Sequence, residues 1–180
     1  MTPRLGTLDL VPALDRLDLL ADPVAAALSA PGIDASDAWV CEIDPGLADT
    51  AAFSEAYAVP LEASANCVVV LGRRAGEERA AACVVRADTR ADVNGAVRRR
   101  LDVRKLSFAP TDWATETTDM AYGGITPVGT PAAWPVLVDE RAAAIEWALI
   151  GSGVRHSKLV VPGALLAALP GAEVGAFALD

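Results

Sequence analysis

The stretch Tyr122-Gly-Gly-Ile-Thr-Pro-Val-Gly-Thr-Pro131 can neither continue a helix nor run through the middle of a sheet. It must be a loop. Its glycines admit positive φ and bring bare backbone close to whatever lies above, while its prolines stiffen the far side. A loop built this way suits the presentation of N–H donors to a carbonyl, ester or phosphate oxygen. Taken alone, the same residues also fit a tight helix-to-strand connection. The rest of the chain has to decide between the two.

A chain of 180 residues is most simply one domain with one substantial core. Its apolar content of 53% comes mostly from Ala, Val and Leu, with only 5% aromatics, which fits an α/β or α+β protein. No apolar run is long enough for a transmembrane helix, and Met1-Thr2-Pro3-Arg4 lacks a signal pattern, so a cytoplasmic protein with no membrane partner is expected. Cys41, Cys67 and Cys83 show no metal spacing, and His156 is the single histidine, which leaves almost no material for a His-based triad or metal site. A net charge of −9 argues against indiscriminate nucleic-acid binding but leaves room for a local basic face.

Leu10, Leu14 and Leu17 mark one face of an expected first helix, and Asp22-Pro23 opens a second that Pro31-Gly32 closes. A strand over 38–43 and a helix over 49–57 follow. Two apolar runs, 67–71 and 81–85, flank a polar turn and read as a β-hairpin. Thr89-Arg-Ala-Asp92 resembles a capping box for a helix with Val93, Ala96, Val97 and Leu101 on its apolar stripe. A short strand over 103–108 and a helix from Pro110 lead into the Gly/Pro loop. Beyond it come strands at 135–139, 145–150 and 157–161, a helix at 162–169 and a last strand at 174–179.

This order, with Val103-Arg104-Lys105-Leu106, the heptad Gly123-Gly-Ile-Thr-Pro-Val-Gly129 and the Gly151-Ser152-Gly153 turn before a β-run, resembles the YbaK and prolyl-tRNA-synthetase-associated editing domain family. The resemblance covers roughly residue 65 to the C-terminus and, more loosely, the N-terminal helices. It implies an α+β fold with a mixed, strongly curved, barrel-like sheet surrounded by helices. Residues 1–60 would form an N-terminal helical part and residues 61–180 a core with the pocket loop. It also implies hydrolysis of the ester joining a mischarged amino acid to the 3′ adenosine of tRNA, by an enzyme acting in trans and needing no cofactor.

Under that resemblance Gly123, Gly124, Ile125, Thr126 and Pro127 line the aminoacyl pocket as the family's G-x-x-x-P loop. Many members carry a lysine at the start of the first hairpin strand. Asn66 occupies that place here, offering hydrogen bonds but no charge. Gly151, Ser152, Gly153, Arg155, Lys158 and Arg104 are the candidate substrate contacts. Lys158 reads either as an ammonium reaching the same pocket or as an exposed strand residue. The basic cluster at 98–100, with Arg104 and Lys105, reads either as a contact for the tRNA acceptor end or as a solvated helix terminus.

Three functions stay open: a trans-editing deacylase, a binding module of the same fold that has lost its chemistry with the lysine, and a hydrolase of another small ester. The expected partners are the tRNA acceptor end and, as an alternative, an aminoacyl-tRNA synthetase; a dimer stays open.

Overall fold

The computed structural model describes residues 2–180. In chain order its elements are β1 (Val11–Pro12), α1 (Asp22–Ser29), β2 (Trp39–Glu42), α2 (Thr50–Tyr57), β3 (Ala65–Arg74), β4 (Glu77–Arg86) and β5 (Arg90–Ala91). A π-helical turn, Val93–Val97, leads into α3 (Arg98–Leu101), followed by β6 (Leu106–Phe108) and α4 (Thr111–Thr118). After the Gly/Pro loop come β7 (Val136–Asp139), α5 (Glu140–Ala143), β8 (Ala148–Gly151), β9 (Ser157–Val161), α6 (Gly163–Ala167), β10 (Ala172–Gly175) and β11 (Ala178–Leu179).

The strongest element is the β3–β4 hairpin, in register from Ala65↔Arg86 to Arg74↔Glu77. Its two-residue connection places Ala75 at φ 51 and Gly76 at φ 85, the doubly positive turn whose twist matches that of the flanking strands. The hairpin sits in a five-stranded mixed sheet ordered β10-β7-β4-β3-β6. A second sheet, β1-β2-β9-β8, is antiparallel throughout.

The barrel-like curvature expected from the resemblance is not there. Among the described residues both large sheets are open, ending at β10 and β6 and at β1 and β8, and one isolated bridge, from Ser64 to Leu149 of β8, links them. Closure is unnecessary because each sheet face is covered by something else. Val70, Ala81, Cys83 and Leu137 of the larger sheet pack on Val93, Val97 and Leu101. Its opposite face, with Val84, Val136 and Val138, meets Val40, Ile150, Leu159 and Val161 of the smaller sheet. The smaller sheet's other face, with Cys41, Leu149 and Val160, is closed by Phe53 of α2. Successive residues of β8 and β9 thus enter different cores, the period-two alternation of a strand buried on both sides.

Three local expectations change. The first helix is replaced by β1 and two 3₁₀ turns, Ala13–Asp15 and Leu17–Leu19, because Val11 and Pro12 pair with β2. The helix start near Thr89 moves to Asp92, whose carboxylate accepts from the Ala96 N–H at 2.7 Å. The last strand splits into β10 and β11, the second pairing with β5. Asp139, 1% exposed, anchors this C-terminal run by accepting from the Phe177 and Ala178 N–H groups.

Candidate active site

The Gly/Pro loop opens with a β-turn in which the Gly124 N–H donates to Ala121 O at 2.9 Å and Gly123 takes φ 78. Positive φ at the third turn position is the place for glycine. The loop is then clamped to the 151–154 turn by a reciprocal pair of bonds, Ala121 N–H to Gly153 O and Gly153 N–H to Gly124 O. Backbone lies directly on backbone there. A Cβ on Gly124 would stand 2.5 Å from Val154 O, and one on Gly151 would stand 2.6 Å from Ile125 O. The two glycine motifs, read separately in the sequence, are the two halves of one contact.

Beneath that contact lies a cavity of about 290 Å³, bounded by the start of β3, the start of α2, the loop and the ends of β8 and β9. Of the expected site residues, Gly123, Ile125, Asn66, Gly151 and Lys158 line it. Gly124, Thr126 and Pro127 shape the loop without lining the cavity, and Thr126 is fully buried with its hydroxyl unpartnered among the described residues. Ser152 spends its hydroxyl on Ser157 O at 2.9 Å and Ser157 Oγ at 2.7 Å, closing the turn from inside. Gly153 turns away to pack against Ala21 and Val24. Arg155 is a strap at the rim: its guanidinium donates to Tyr122 O and to Pro45 O, each at 3.1 Å. Arg104 lies elsewhere, beside Gly72 and Leu106.

Lys158 is the cation of this cavity. It is 8% exposed, its Nζ donates to Ala48 O at 3.0 Å, and it stands 5.7 Å from the centroid of the Phe53 ring. The exposed-strand reading of Lys158 is therefore set aside. Burial pushes its pKa below the ordinary 10.5, nearby Arg155 pushes the same way, and Asp49 opposes them. Across the cavity Asn66 Oδ1 accepts from Thr50 Oγ1 at 3.0 Å, which leaves its amide N–H groups without a partner among the described residues. The Gly123 and Ile125 N–H groups are likewise unpaired among the described residues. The cavity is thus lined by residues that carry an ammonium, a side-chain amide and two unpaired backbone amides, donor types suited to an oxygen that gains negative charge.

Sequence reading missed one wall. Ala48, Asp49, Thr50 and Phe53 all line the cavity, as does Tyr122, which is itself 64% exposed. Asp49 precedes α2 as its N-cap yet makes no capping bond, a position from which its carboxylate is free to face the cavity. The single histidine, His156, is exposed and does not line the cavity. Asp88, Asp92 and Asp102 are spent separately on Arg86, the Ala96 N–H and Arg74. Among the described residues no group of three His, Cys, Asp or Glu could hold a metal ion. No described helix is long and apolar enough to cross a membrane.

Solved structures share this fold. A candidate trans-editing enzyme for prolyl-tRNA synthetase superposes with a TM-score of 0.71 at 20% identity, covering 96% of this chain and 100% of its own. A scaffold protein used in computational epitope grafting gives 0.71 at 23% identity, covering 89% and 97%. A hypothetical protein gives 0.68 at 20% identity, covering 78% and 90%. At these identities the likeness is one of fold. No curated protein sequence matches the chain. The aminoacyl-tRNA editing domain family, by contrast, matches residues 44–169, a span that takes in α2, the hairpin, the Gly/Pro loop and β9. The chain belongs to the aminoacyl-tRNA editing domain family.

Proposed function

We propose that the protein is a trans-acting deacylase that hydrolyses the ester of a mischarged amino acid on the 3′ end of tRNA, with residues 1–180 working as one unit. The observation that carries this reading is the convergence of Lys158, Asn66 and the unpaired amides of Gly123 and Ile125 on one cavity in a chain of the editing family. The aminoacyl group occupies the cavity, and the ester carbonyl faces the donors. A water attacks the carbonyl carbon, the oxyanion is stabilised by the amides and the Lys158 ammonium, and the bond to the ribose oxygen breaks. The ribose oxygen leaves with a proton, giving free amino acid and tRNA with its 3′-terminal hydroxyls intact. Preorganised donors make such a site possible without a serine nucleophile or a histidine. The water is oriented, in this reading, by the carboxylate of Asp49, which lines the same wall. The exposed ring of Tyr122 offers a face for the terminal base.

Asn66 provides the test. Asn66→Ala is expected to lower deacylation about tenfold or more, the effect of losing one hydrogen bond to a developing charge. Asn66→Lys is expected to lower it as well, because a second ammonium would share a small cavity with Lys158 and depress the protonation of both. Rates for the three proteins on one panel of mischarged tRNAs decide the matter. An active parent whose rate ignores both substitutions removes Asn66 from the site.

A further inference from the structure

Most of the arginines in this acidic chain are tied to carboxylates. Among the described residues Arg98, Arg104 and Lys105 are not, and they line one groove. Arg98 reaches the Arg104 carbonyl at 3.5 Å, and both side chains line a groove of about 670 Å³ with Lys105, Asn94 and Pro110. Arg73 and Glu78, paired at 2.8 Å, line it as well. Cations left without carboxylate partners and lining one groove are the elements of a surface that tracks a nucleic-acid backbone.

The groove is not part of the cavity. β3 joins the two, with Asn66 lining the cavity near one end and Gly72 and Arg73 lining the groove near the other. At about 3.3 Å per residue the separation is roughly 20 Å. Stacked nucleotides rise about 3.4 Å each, so a strand with its 3′ end in the cavity reaches the groove about six nucleotides upstream. The remaining surface of a chain carrying a net charge of −9 repels phosphate, so a local basic face also fixes how the RNA lies.

We propose that this groove is a second RNA-binding surface, which grips the phosphate backbone of the tRNA upstream of the 3′ end. The proposal rests on the reading that an RNA 3′ end enters the cavity. It is tested with uncharged tRNA, so its outcome does not depend on whether any ester is cleaved. The double variant Arg104→Ala/Lys105→Ala alters only exposed side chains that have no ion pair among the described residues. It is expected to bind uncharged tRNA at least tenfold more weakly at about 0.1 M salt. The slope of log affinity against log salt should shrink by about 1.5, the counterions released by two phosphate contacts. A trinucleotide with the same 3′ sequence is too short to span the distance, and its affinity should be the same for parent and double variant. An unaltered salt slope for full-length tRNA overturns the proposal. So does a trinucleotide that loses as much affinity as the tRNA, since the basic residues would then hold the 3′ end itself.

Discussion

Lys158→Met is expected to lower ester hydrolysis by about a hundredfold or more, the usual consequence of removing one preorganised donor to an oxyanion. Its stability should stay within about 1 kcal/mol of the parent's. The Ala48 carbonyl loses its donor, but a buried charge is removed at the same time, and the two effects oppose each other. The pH dependence separates charge from packing. Because burial lowers the Lys158 pKa below 10.5, the unfolded chain holds this proton more tightly than the folded one. Stability therefore rises with pH across the window between the lowered value and 10.5, while the ammonium's burial cost is felt in full below it. That rise should be absent from Lys158→Met. Hydrolysis that depends on the ammonium should decline as pH rises through the same lowered value, once spontaneous ester hydrolysis is subtracted. Chemical denaturation across the alkaline range and single-turnover rates at matched pH measure both. A variant with parental rate would take Lys158 out of the chemistry.

Gly124→Val should be costly in a different way. The added Cβ meets Val154 O at 2.5 Å and Val154 N at 2.8 Å, both backbone atoms held by the reciprocal bonds between the loop and the 151–154 turn. Neither side can yield without breaking those bonds, so a loss of about 3 kcal/mol is expected. For a chain of this length that lowers the melting temperature by roughly 10 °C. Activity should fall with it, since Ile125 and Gly151 line the cavity on either side of the contact. Gly123→Ala makes the contrast. Its Cβ presses on the Arg155 guanidinium, the far end of a flexible side chain, so the cost is that of a left-handed φ plus a displaced Arg155 hydrogen bond, about 2 kcal/mol. Thermal unfolding of the two variants side by side tests the packing. Equal midpoints would mean that the loops do not press together as described.

What was legible in the sequence followed from local chemistry. The apolar, β-branched runs on either side of Ala75-Gly76 specify the hairpin, and Ser157–Val161 is a strand with the expected bounds. The Gly/Pro loop was legible as a loop, because proline and glycine leave no alternative. Long-range packing was not legible. The leucines at 10, 14 and 17 carry helical spacing, yet Val11 and Pro12 are drawn into an edge pairing with β2 that no local pattern announces. The barrel came from the resemblance and not from any residue, and two open sheets stand in its place. Lys158 in Ser-Lys-Leu-Val-Val could not be assigned a face, since a strand covered on both sides gives a polar residue no solvent side to choose. The wall from α2 was missed for a similar reason. Nothing around Asp49 or Phe53 states that the helix will sit beneath a loop whose residues lie far along the chain.

The most direct measurement of the central claim is single-turnover deacylation with the protein in excess over a panel of tRNAs, each carrying a non-cognate amino acid on its 3′ end. The account predicts that at least one ester is cleaved at least about a hundredfold faster than it decays spontaneously, releasing free amino acid and a tRNA that can be charged again. The contradicting result is a protein that binds these tRNAs and leaves every ester to decay at its spontaneous rate.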